Sequence, residues 1–380
     1  MIEFKHVTKT FRGKQVIDDI SFTINDGEFV VLLGESGCGK TTTLKMINKL
    51  ILPSTGSVEI NGKDIAQIDP ITLRRRMGYV IQQIGLFPHM TIRENIELIA
   101  KLNSNDKERI HENAEKLMKM VNLDPEVYLD AYPSEMSGGQ QQRAGVVRAF
   151  MANPDIVLMD EPFSALDPIT RTQIQNALLD MQAALKRTIV FVTHDMDEAI
   201  RLADRICIME DGRITQFDTP ENILKYPANE FVRQFVGPKR IWTSPEYIRT
   251  RDIMITDPVC CHPKMPIFKC VEMMNLRRVD TLMVTDQYKR LYGVLYAESL
   301  IGLKDPDRSL RAEDLMYKRF VSVGPDSSIV DLLQIFDEQH ISTLPIVDSQ
   351  GSIQGLITRS TLVNALSRQF LPDERKEEEA

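Results

Sequence analysis

The sequence predicts an α/β chain in two parts: a mixed-sheet domain with an antiparallel flank and a helical insertion, then two copies of a smaller unit. Three observations carry this. Short apolar runs ("FVVLLG" from Phe29, "IVLMDE" from Ile156, "TIVFVTH" from Thr188) are separated by long amphipathic stretches, the pattern of strands buried on both faces between helices. Helix formers dominate between Pro88 and Pro154, as in "RENIELIAKL" and "NAEKLMKMV". Beyond residue 250 the chain repeats itself without a gap at an offset of 62 residues. Asp252 matches Asp314, Met254 Met316, Pro263 Pro325, Thr281 Thr343, Asp286 Asp348 and Gly293 Gly355.

At the N-terminus, "IEFKHVTKTF" and "SFTINDGEFV" alternate apolar and polar residues, as an antiparallel flank does. Around Gly237 the segment "GPKRIWTSPE" breaks the pattern with two prolines and the only tryptophan. Each repeat predicts a short strand, a helix, two strands joined by a turn and a final helix. A unit of roughly 55 residues is marginal alone, so the two copies are expected to pack against each other. The expected divisions are 1–236 for the sheet domain, 237–250 for a linker, 251–309 and 310–370 for the repeats, and 371–380 for an acidic tail.

At 380 residues the chain has room for two or three cores. Its net charge of −8 disfavours a sequence-reading nucleic-acid binder, which needs a basic face. No apolar run approaches the ~18 residues needed to span a bilayer, and "MIEFKHVTK" lacks the apolar core of a signal peptide. A cytosolic protein is expected, with any membrane role exerted through a separate partner. The five cysteines form no CxxC pair and read as reduced thiols. The repeat offset places Cys260, Cys261, His262 and Cys270 over Ser322, Val323, Gly324 and Leu332, ordinary strand, turn and helix positions, which argues against a metal site there.

Two stretches are suited to phosphate. "GESGCGKTT" (Gly34, Glu35, Ser36, Gly37, Cys38, Gly39, Lys40, Thr41, Thr42) fits G-x-x-x-x-G-K-[ST] between a strand and a helix-competent segment. Its glycines let backbone N–H groups wrap phosphates, Lys40 can reach the β- and γ-phosphates, and the Thr41 hydroxyl can ligate Mg²⁺. A thiol at Cys38 makes alkylation there a block to ATP. The second stretch is "MSGGQQQR", where Ser137, Gly138 and Gly139 precede a polar helix-competent run. "IVLMDEP" ends a buried strand in two carboxylates, with Asp160 placed as a Mg²⁺ partner and Glu161 as general base.

With these motifs in order over the first ~235 residues, the chain resembles the nucleotide-binding subunit of ATP-binding cassette (ABC) transporters, a P-loop fold. "MSGGQ" matches that family's signature, with Met136 where leucine is usual. Gln82 falls at the Q-loop, Ser164–Asp167 ("SALD") at the D-loop, His194 at the switch histidine, and Phe11 where an aromatic ring stacks on adenine. The resemblance implies a head-to-tail homodimer enclosing two ATPs. Each ATP is held by the phosphate loop of one chain and by Ser137, Gly138, Gly139 and Gln140 of the other. Gln82 and His194 then position the γ-phosphate and water, and Gln82 joins Thr41 and Asp160 at the metal.

The stretches "IQQIGLFPHMTIREN", "DEPFSALDPITR" and "THDMDEAIRLADRI" look like the osmoprotectant branch, whose importers move glycine betaine, carnitine or choline. The resemblance implies a membrane permease docked at Phe87, Pro88 and Met90, a separate solute-binding protein, and a place at the cytoplasmic face of the membrane. The C-terminal repeats resemble a tandem pair of CBS domains, which the same branch carries. "GVLYAES" and "GLITRST" lack the acid that holds a ribose in such pairs. That leaves two alternatives: a cyclic dinucleotide such as cyclic di-AMP at the dimer seam, paired with Arg359, or a dimerisation module without ligand. Regulation by ionic strength is the other expectation for the branch. The competing functions are import of an amino acid or polyamine, and a non-transport ABC ATPase; the latter would carry a long coiled coil or a second cassette, and neither is present.

Overall fold

The computed structural model describes residues 1–82, 85–103, 106–164, 166–237, 240, 245–300, 310–339 and 341–367. The acidic tail and Trp242 lie outside the described residues. The chain divides into two compact units, Met1–Val236 and Gly237–Ala380.

The strands of the first unit are β1 (Ile2–Phe11), β2 (Lys14–Ile24), β3 (Phe29–Gly34), β4 (Thr55–Ile60), β5 (Lys63–Asp64), β6 (Met77–Val80), β7 (Ile156–Asp160), β8 (Thr188–Thr193), β9 (Arg205–Glu210) and β10 (Arg213–Asp218). An antiparallel sheet runs β2-β1-β4-β5, and the main sheet runs β10-β9-β3-β8-β7-β6. In the main sheet the strands from β9 to β6 are parallel and β10 is an antiparallel edge.

Every residue of β3, β7 and β8 is buried, as their apolar runs require, with Asp160, Thr188 and Thr193 as buried polar residues at the strand ends. The alternating flank instead turns Ile2, Phe4 and Val7 inward. Phe4 stacks on Phe22 at 4.5 Å, in the core that also holds Leu32, Leu158 and Val190 of the main sheet.

The insertion is helical. Helices Ile92–Asn103, Lys107–Met120 and Gly138–Met151 pack against one another. Ile92, Ile96 and Ala100 recur every fourth residue on the buried face of the first.

In the second unit the strands are β11 (Cys260–Cys261), β12 (Thr281–Thr285), β13 (Leu291–Tyr296), β14 (Thr343–Val347) and β15 (Ile353–Thr358). β12–β13 and β14–β15 are antiparallel hairpins, and β11 lies parallel to β12. The strand predicted to open the second repeat is reduced to one parallel bridge, Val323 to Ile346. After β13 the first repeat has a 3₁₀ turn, Ala297–Leu300, where a helix was predicted, and the continuation lies outside the described residues.

The repeats also exchange their opening segments. Ile255 and Leu356 trade two backbone hydrogen bonds (2.8 and 3.0 Å), and so do Tyr317 and Val294 (2.8 and 3.1 Å). Ala312, with Leu315 and Met316 against it, thereby completes the core of the first repeat. Ile248, Ile253 and Met254 complete that of the second.

Candidate nucleotide site

The loops that leave β3, β8, β7 and β6 at their carboxyl ends carry, in that order across the sheet, the phosphate loop, His194, Asp160–Glu161 and Gln82. Parallel strands place these loops on one edge, where α/β folds form their sites.

Gly34 ends β3 with φ 155°, and a Cβ there would stand 2.2 Å from the Met209 carbonyl oxygen. Gly39, at φ 107°, caps helix Lys40–Ile47 in a left-handed conformation, with a would-be Cβ 2.4 Å from Ile17 Cδ1. These two positions need glycine both for conformation and for space. Lys40 is buried and donates from Nζ to the carbonyl oxygens of Gly34 and Glu35, each at 2.8 Å. Glu35, Ser36 and Gly37 are exposed at the loop tip, and Thr42 is half-buried one residue into the helix after Thr41.

Thr41 Oγ1 donates to Asp160 Oδ1 at 2.7 Å, joining the start of that helix to the end of β7. A hydroxyl and a buried carboxylate form a hard-oxygen donor pair that fits Mg²⁺. On neighbouring β6, burial and the nearby Asp160 charge push the Tyr79 phenol up to about 12.

Cys38 is buried beside Lys40, with Sγ 3.8 Å from Nζ. Burial raises its thiol pKa, and the Lys40 charge offsets this only in part. Alkylation there therefore meets a shielded, protonated thiol.

Glu161 has a left-handed backbone, φ 45°, and its N–H donates to Val192 O of β8 at 3.0 Å. The side chain reaches toward the next loop, where His194 Nδ1 lies 3.4 Å from Glu161 Oε2. Behind the histidine is a group that sequence reasoning missed. Asp195 caps helix Met196–Leu202, Thr193 Oγ1 donates to Glu198 Oε2 at 2.7 Å, and Arg171 lies 3.5 Å from Asp195 and 3.8 Å from Glu198. Burial raises the Glu198 carboxyl pKa, Thr193 and Arg171 acting against it. The available signal was "THDMDE", a histidine followed by an N-cap aspartate and a carboxylate in the first helical turn.

The signature turn is built locally. Ser137 caps helix Gly138–Met151 with a reciprocal box: its Oγ accepts from Gln140 N at 3.3 Å, and Gln140 Oε1 accepts from Ser137 N at 2.8 Å. Gln140 Nε2 also donates to Tyr128 OH at 2.8 Å. A Cβ on Gly139 would meet Thr170 Cγ2 at 2.5 Å, whereas one on Gly138 would meet nothing. Among the described residues, no hydrogen bond joins this turn to the phosphate loop of the same chain. Phe11 is exposed, with Lys9 Nζ 4.9 Å from its ring centre, and Gln82 is exposed just past β6. Near β6, buried Asn95 accepts from Phe87 N (2.7 Å) and donates to the carbonyls of Phe87, Met90 and Thr91 (3.0–3.1 Å), which leaves Phe87 and Pro88 exposed.

In the second unit, the Arg359 guanidinium donates to the carbonyls of Ile341 (3.0 Å) and Phe336 (3.3 Å). Cys261 and Cys270 are buried in the core of the first repeat, and Cys260 is half-buried.

The ABC transporter family model matches residues 17–164, and the CBS domain model matches 251–304 and 312–368. The carnitine transport ATP-binding protein of Listeria monocytogenes serotype 1/2a (strain 10403S) is 48% identical over 366 residues, 96% of this chain and 91% of that protein. The glycine betaine/carnitine/choline transport ATP-binding protein of Bacillus subtilis (strain 168) is 44% identical over 99% of both chains. Among solved structures, the dimeric ATP-binding cassette MJ0796 bound to ADP and Pi is 32% identical with a TM-score of 0.53, covering 58% of this chain and 99% of that one. The chain belongs to the ABC transporter family, as an ATP-hydrolysing subunit with a C-terminal pair of CBS domains.

Proposed function

We propose that this subunit energises the import of quaternary-amine osmoprotectants of the glycine betaine, carnitine and choline class through a separate membrane permease. Relatives matched over nearly their whole length are transport ATP-binding proteins for carnitine, glycine betaine and choline, which supports the solute class. The observation that carries the chemistry is the 2.7 Å contact between Thr41 and Asp160, with Glu161 and His194 3.4 Å apart in the adjoining loops.

In this proposal the N–H groups from Gly34 to Thr42 and the Lys40 ammonium bind the phosphates, and Phe11 stacks on the adenine. Thr41, Asp160 and Gln82 would hold Mg²⁺, which when bound neutralises charge developing on the phosphate oxygens. Glu161 takes a proton from the attacking water, and His194 orients the γ-phosphate and that water. Ser137, Gly138, Gly139 and Gln140 face the phosphate loop of a second copy in a homodimer; the similarity to a dimeric cassette at 32% identity supports this arrangement. Exposed Phe87 and Pro88, held out by Asn95, form the docking notch for the permease. In this proposal the subunit sits at the cytoplasmic face of the membrane, attached through that permease; no described helix is long and apolar enough to cross a membrane. A solute-binding protein delivers the solute to it. A cyclic dinucleotide, such as cyclic di-AMP, paired with Arg359 would have to draw that side chain from the carbonyls of Ile341 and Phe336.

Reconstitution of the chain with its permease and solute-binding partner in liposomes tests the assignment. ATP-dependent uptake of labelled glycine betaine, competed by carnitine or choline, is expected. Uptake of an amino acid or polyamine in its place rejects it.

A further inference from the structure

Two clefts occupy equivalent places between the CBS repeats, and their linings differ in chemistry. One, of about 720 Å³, is lined by Ile255, Pro258 and Thr358 among others. In the other, of about 360 Å³, the positions 62 residues on from Ile255 and Pro258 are Tyr317 and Phe320, and Tyr296 stands where the first has Thr358. That volume lies in the range of small-molecule sites, about 300–1,000 Å³.

The aromatic wall is fixed in place. Tyr296 and Tyr317 meet edge to face at 5.4 Å, with a 73° angle between the rings. Two backbone hydrogen bonds to Val294 pin Tyr317. Tyr296 and Phe320 lean on the small core of Met283, Val294, Ile353 and Leu356. Two carboxylates, Asp280 and Glu298, line the same cleft, and Arg319 is its cation among the described residues. Among the described residues none of these three forms a salt bridge with a protein side chain. The Ala297 N–H donates to the Asp280 carbonyl at 2.7 Å, holding the first carboxylate beside the turn that carries the second.

Aromatic faces with nearby carboxylates favour a methylated ammonium group: the ring quadrupoles attract its diffuse charge, and its methyl groups have no hydrogen bonds to lose. A guanidinium in the same cleft suits the carboxylate of a zwitterion. We infer that this cleft binds a quaternary-ammonium carboxylate such as glycine betaine, with the ammonium against Tyr296, Tyr317 and Phe320 and the carboxylate toward Arg319. The cleft chemistry alone selects the ligand class. That the ligand is also the imported solute, so that the subunit senses what it has helped to accumulate, rests on the function proposed above.

Calorimetric titration of the full chain with glycine betaine, choline and the uncharged isostere 3,3-dimethylbutan-1-ol tests this. Saturable binding of glycine betaine is expected, choline weaker and the neutral isostere weakest. Tyr317→Leu, at an exposed site, should weaken betaine about two- to fivefold, the size of one exposed cation–π contact. Arg319→Ala should weaken betaine and leave choline unchanged. ATP affinity, measured in the same samples, should stay constant and serves as the control for folding. Absence of saturable betaine binding, or equal binding of the isostere, overturns the proposal, as does betaine binding that Tyr317→Leu leaves intact. A chain that binds betaine here yet energises no betaine uptake rejects the transport assignment and leaves the cleft standing; uptake without binding rejects the cleft alone.

Discussion

The proposed chemistry of the site centres on Glu161, and its backbone is part of the reason. A non-glycine residue at φ 45° costs about 1 kcal/mol, and here its N–H bond to Val192 opposes that cost. The sharp turn lets consecutive carboxylates do different things: Asp160 accepts from Thr41, and Glu161 turns toward His194. Glu161→Gln keeps the shape and removes the basicity. Hydrolysis should fall about 10²- to 10⁴-fold, the usual worth of a general base, while ATP affinity is retained and an ATP-bound dimer accumulates. Turnover rates and size-exclusion chromatography with ATP check both halves. Unchanged hydrolysis would reject Glu161 as the base.

At the scale of elements, the strands were legible because burial on both faces leaves continuous apolar runs, as in "FVVLLG" and the "IVFV" of "TIVFVT". The signature helix was legible as a motif, but its local construction was not. Ser137 and Gln140 satisfy each other's backbone, and Gln140 also ties the turn to Tyr128, so in the proposed dimer the same residues serve a cap and an anion site. The Asp195, Glu198 and Arg171 group escaped notice because its members are brought together by the packing of two helices, and spacing along the chain does not record that. The two signature glycines also separate by environment. A side chain at Gly139 runs into Thr170, whereas one at Gly138 meets nothing within 4 Å in its own chain. Gly138→Asp should therefore leave the melting temperature and ATP binding of the isolated chain unchanged. By placing a negative charge at the helix start, where a partner's phosphate would lie, it should abolish hydrolysis. Thermal melts, nucleotide titration and phosphate release measure the three quantities, and retained hydrolysis would remove the composite site.

Over the whole molecule, the exchange of opening segments accounts for identities that the repeat showed but did not explain. Asp252 and Asp314 accept from Arg249 N and Arg311 N at the start of the exchanged turns (2.8 and 2.9 Å). Pro263 and Pro325 accept from Glu313 N and Arg251 N, each in the other repeat (2.9 and 3.0 Å). Gly293 and Gly355 lie under the exchanged strand: a Cβ there would stand 2.8 Å from Tyr317 O and 2.7 Å from Ile255 O, with Met316 and Met254 sulfur 2.9 Å away. The duplication was visible in the sequence, but an ungapped alignment is the same whether each copy closes on itself or crosses over. The difference matters for where the chain can be cut. Ending it at residue 309 removes Ala312, Leu315 and Met316 from the core of the first repeat, and it strands Ile248, Ile253 and Met254 without theirs. Residues 250–300 should then be cleaved rapidly in limited proteolysis. Ending the chain at Val236 crosses neither core and should leave a resistant fragment that still binds ATP. A protease-resistant first repeat in the 1–309 chain would mean that the copies fold independently and the exchange is dispensable.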